Sequence, residues 1–70
     1  MKKLLREYEL NSDMQYFQMC LESLINGQRE QAKQQFLALP KINRKSFVGA
    51  LLWHWGNIST DTQRFFFNLM

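Results

Sequence analysis

Apolar residues recur every three or four positions along this chain, and the recurrence is interrupted at Ser12, Gly27, Pro40, Asn43, Gly56 and Thr60. That spacing keeps one face of a helix apolar, and the interruptions mark where helices start and stop. A first short helix is predicted over 2–10, with Leu4, Leu5 and Tyr8 on one face. Ser12 and Gln15 have the spacing of a capping box, which opens a second helix over 13–26. Met14, Phe17, Cys20, Leu21, Leu24 and Ile25 fall on its apolar side, and Gly27 supplies the left-handed residue that ends it. A third helix over 28–39 has a narrow apolar face of Ala32, Phe36 and Leu39, with Gln31, Gln34 and Gln35 expected in water. Pro40 stops it.

Asn43 is a good N-cap for a fourth helix over 44–55, where Phe47, Val48, Leu51, Leu52 and Trp55 repeat at the helical period. Gly56 closes this helix, and Asn57-Ile58-Ser59 reads as a turn. Thr60 and Gln63 repeat the capping-box spacing before a fifth helix over 61–69. In that helix Phe65, Phe66 and Leu69 can share one core, which leaves Phe67 and Met70 pointing elsewhere. No alternating pattern of strand type occurs. The expected fold is all-α: a single domain over 1–70, a bundle of four to five short helices around a central antiparallel hairpin of the second and third.

Within that hairpin, Tyr16, Cys20, Gly27, Ala32 and Phe36 have the order and spacing of the aromatic, small and alanine positions of one tetratricopeptide repeat. The segment 16–39 therefore resembles a single hairpin of that family. It departs from the pattern at Ser23, where the family has a large aromatic, and at Pro40, which comes early. The resemblance implies two antiparallel helices in close approach and a role as a protein-binding scaffold.

Composition narrows the function. Seventy residues make one small core, and the single cysteine rules out an internal disulfide. Aromatics at 14% compensate in part, because each buries a large area. The net charge of +3 is uneven: residues 1–31 carry four basic and five acidic groups, residues 32–70 five basic and one acidic. An anionic partner would meet the second half. Arg6, Glu7 and Glu9 end the initial apolar run well short of an export signal, and no stretch is long enough to span a membrane. A lone thiol without an export signal fits the cytoplasm.

Catalytic chemistry has little to work with. His54 could serve as a general base, but no acid lies three or four positions away, and it reads as a histidine flanking the core. Cys20 sits on an apolar face and reads as a small buried hydrophobe. No spacing suits a metal, and no glycine-rich phosphate loop is present. The expectation is a non-enzymatic module with no cofactor, no small-molecule substrate and no membrane partner. Trp53 falls opposite Val48, Leu51 and Trp55, with Gly49 one turn before it leaving a seat for another helix. Gly49, Trp53, Phe67 and Met70 are thus the candidate partner-binding residues, and the expected partner is a protein, the chain itself included as a homodimer through helices four and five. The alternative is a nucleic-acid-binding or regulatory protein that uses Lys41, Arg44 and Lys45 at the start of helix four. The apolar character of that helix weighs against its use as a recognition helix.

Overall fold

A computed structural model describes residues 1–53 and 58–70. It contains five helices: α1 (Lys2–Glu7), α2 (Asp13–Ile25), α3 (Arg29–Leu37), α4 (Lys41–Trp53) and α5 (Thr60–Phe67). No strand occurs among the described residues. The fold is all-α, with α2 and α3 forming a hairpin across a three-residue turn and α4 and α5 packed against each other and against it. The expected features at His54, Trp55, Gly56 and Asn57 lie outside the described residues.

Capping chemistry sets most boundaries. The Ser12 hydroxyl accepts from Gln15 N–H at 3.2 Å, while the Gln15 side chain reaches back to accept from Asn11 N–H at 2.7 Å. Two donors at the entry of α2 are thereby satisfied, the second one residue earlier than in the standard box. At the end of α2, Gly27 has φ +85°, Gln28 N–H donates to Ser23 O and Gly27 N–H to Leu24 O. This is a Schellman closure. The same pair of bonds closes α1, from Leu10 N–H to Leu5 O and from Glu9 N–H to Arg6 O, but there Glu9 holds the positive φ of 56°.

Helices α1 and α3 end at Glu7 and Leu37, short of the expected 10 and 39, and the starts of α4 and α5 also differ from the sequence expectation. Helix α4 begins at Lys41, not after Asn43: the Pro40 carbonyl accepts from Asn43 N–H and Arg44 N–H. Proline lacks an N–H but keeps a carbonyl to accept, so Pro40, three residues past the end of α3, serves as the residue that opens the first turn of α4. At α5 the cap is Ser59, whose hydroxyl accepts from Thr62 N–H, and Thr60 is the first helical residue.

The core is aromatic. Phe47 of α4 is fully buried and meets Phe17 of α2 at 5.1 Å between ring centres, Phe36 of α3 at 5.4 Å and Phe66 of α5 at 4.7 Å. Edge-to-face rings set the electropositive rim of one against the face of the next. One side chain thus joins four helices. Tyr16, Cys20, Ala32, Leu39 and Leu51 complete the interior, and α1 lies against it through Leu4, Leu5 and an edge contact of Tyr8 on Tyr16.

Candidate functional site

Four residues expected on apolar faces instead meet solvent: Tyr8, Met14, Ile25 and Leu52. Periodicity gives a helix its apolar face, but only a neighbouring helix can cover it. Met19, outside the apolar face that spacing gives α2, packs against the core, and Gln35, expected in water, is 4% exposed. Gln35 is tolerated inside because its polar groups are satisfied. Its carbonyl accepts from the Tyr16 hydroxyl at 2.7 Å, and its side-chain oxygen lies 2.9 Å from the Ser23 hydroxyl, which also reaches Met19 O at 3.1 Å.

The Trp53 side chain is 85% exposed, and no other helix covers it. It stands at the rim of a groove of about 340 Å³ between α2 and α4, lined also by Met14, Phe17, Ser46, Gly49 and Ala50. A side chain built on Gly49 would meet nothing within 4 Å, so the floor of the groove is open at that point. The structure therefore brings Gly49 and Trp53 together. Phe67 and Met70 are exposed at the C-terminal end of α5 and do not line this groove. Ile42, the most exposed aliphatic residue at 73%, lies three turns before Trp53 on α4.

The cations occupy other places. Lys41 and Lys45 are exposed in the first two turns of α4. Arg44 is half-buried, and its Nε donates to Leu39 O at 3.1 Å, so one of its donors already closes the α3–α4 corner. A second groove, of about 500 Å³ between α3 and α5, gathers Arg29, Lys33 and Arg64 around Asp61. Arg29 stacks over the Phe65 ring at 5.1 Å. The sequence reading missed this grouping. The spacing of Arg29 and Lys33, one turn apart, was visible, but Arg64 joins them only through the fold.

Cys20 is fully buried, and desolvation pushes its thiol up to about 12. Such a thiol is protonated and shielded, unsuited to nucleophilic work. Burial also raises the Tyr16 hydroxyl, with Cys20, Tyr8 and Glu7 adding smaller contributions. No group of three or more His, Cys, Asp or Glu among the described residues could hold a metal ion. No helix among them is long and apolar enough to cross a membrane. The candidate general base, His54, lies outside the described residues. No family model, curated protein or solved structure matches the chain.

Proposed function

We propose that this chain is a small, non-enzymatic protein-interaction module of the cytoplasm that docks a protein partner on the α2–α4 groove. The observation that carries this reading is the pairing of a nearly uncovered Trp53 with an open apolar seat at Gly49. An exposed tryptophan beside a recess is the make-up of an interface anchor, because truncating such a residue commonly removes most of the binding energy. Phe67 at the end of α5 and Met70 just beyond it add exposed apolar surface as a secondary contact. The likeness of 16–39 to a scaffold repeat is compatible with this role. The nucleic-acid reading has weaker support: Arg29, Lys33 and Arg64 cluster in one groove, but Asp61 shares it and Arg44 is engaged in a structural bond.

The test is photo-crosslinking in cells with benzoylphenylalanine in place of Trp53 or, as a control, of the exposed Glu22. The expected result is a discrete adduct from position 53 alone, identified by mass spectrometry, rebuilt from purified components, and lost with Gly49→Gln. Equal, diffuse products from both positions would overturn the proposal.

A further inference from the structure

We infer that the occupant of the groove is a second copy of this chain, packed antiparallel along α4. The inference rests on the docking role proposed for this surface and adds the partner and its register. On α4, Ile42, Ser46, Gly49 and Trp53 succeed one another at intervals of four, three and four residues. At about 100° per residue these four fall within a narrow stripe. The stripe reads the same in both directions by size: a large apolar residue at each end and two small ones in the middle. Turned end for end on itself, it sets Ser46 of each copy opposite Gly49 of the other, and Trp53 of each over Ile42 of the other.

Each part of that match is an observed feature. Ile42 and Trp53 are the two most exposed large hydrophobic residues described, and each needs a cover. The centre of the stripe allows close approach, since nothing stands within 4 Å of a side chain built on Gly49. Antiparallel helices also oppose their macrodipoles favourably. The groove lining contains no charged residue, so apolar burial would drive the contact. Area sets its strength. Trp53 offers about 200 Å², and Ile42 and Met14 bring the patch to roughly 400 Å² per copy, or on the order of 800 Å² for the pair. That is the size of a weak, transient contact, so a dissociation constant in the upper micromolar range is expected, not a permanent dimer.

Salt separates this contact from nucleic-acid binding. Each copy carries a net charge of +3, so screening helps two copies meet. Dimerisation should hold or strengthen as salt rises, whereas phosphate binding would weaken steeply.

The experiment is sedimentation equilibrium of the full chain from micromolar to millimolar concentration, with crosslinking from position 53 in the purified protein. Wild type should pass from monomer to dimer. Trp53→Ala and Ile42→Ala should each raise the dissociation constant at least tenfold. Gly49→Gln should keep the helix folded, as circular dichroism would show, and abolish the dimer, while Ile25→Ala, exposed away from the groove, should leave it unchanged. The crosslink should map to the segment around Ile42 of the other copy. A dimer indifferent to Gly49→Gln, or one crosslinked from position 53 to position 53, would overturn the register. A strict monomer whose cellular adduct at position 53 is a different protein would overturn the self-pairing and leave the docking role standing. A strict monomer without any such adduct would overturn both.

Discussion

Glu9 holds a backbone conformation that glycine adopts freely and other L residues adopt at a cost. Its φ of 56° closes α1 with the same two bonds that Gly27 provides at the end of α2. Relief of the Cβ strain makes Glu9→Gly stabilising, by about 1 kcal/mol, readable as a rise in the thermal midpoint. Gly27→Ala should cost about the same: the site has room for the methyl group, but its φ of +85° does not suit alanine. Cys20 gives a pH dependence of definite sign. Its thiol titrates near 9 when unfolded and is held up to about 12 when folded. The unfolded chain therefore releases this proton first as pH rises. Stability should be unaffected by Cys20 below pH 9 and should fall between 9 and 12, by at most about 1.4 kcal/mol per pH unit. Tyr16, also raised, adds to the fall in the upper part of that range. Urea midpoints at several alkaline pH values, compared with those of Cys20→Ala, would check the slope.

At the scale of the elements, α4 carries a glycine in its interior that its own fold does not require. Gly49 has a helical φ and open space where a side chain would be, so Gly49→Ala should stabilise the monomer by up to about 1 kcal/mol through helix propensity alone. Thermal melts at low concentration, where association does not contribute, would measure it. The elements also mark where the sequence was readable. Five helices, the Ser12 cap, the Gly27 closure and the burial of Cys20, Ala32 and Phe36 all follow from spacing and side-chain chemistry. The start of α4 did not, because a proline that reads as a helix stop can equally stand just before a helix and accept its first bonds. Ser59 and Thr60 are adjacent hydroxyl residues with a polar side chain three positions on in either case, so pattern alone cannot choose between them. Of the candidate surface, the off-face position of Trp53 and the smallness of Gly49 were legible. The exposure of Met14 and Leu52, the burial of Gln35 and the meeting of Arg29 with Arg64 depend on which helix lies beside which, and no local pattern encodes that.

At the scale of the whole molecule, a chain of this size holds only roughly 4–10 kcal/mol of stability. Phe47 links α2, α3, α4 and α5 through three ring contacts, so Phe47→Ala removes a shared centre. A loss of about 3–5 kcal/mol is expected, a large share of that stability, with a marked fall in the urea midpoint as the readout. The polar contacts of Gln35 have a different consequence for the molecule. Phenylalanine rings tolerate sliding, since a ring shifted by one turn still finds another apolar neighbour. The Tyr16 and Ser23 hydroxyls, set nearly two turns apart on α2, both converge on one residue of α3. In a slipped hairpin the Ser23 hydroxyl could still turn to Met19 O, but the glutamine amide would lose its partner in an oily interior. Gln35 therefore works as an index pin: it adds little to how tightly the helices hold, but it selects the one alignment in which they can.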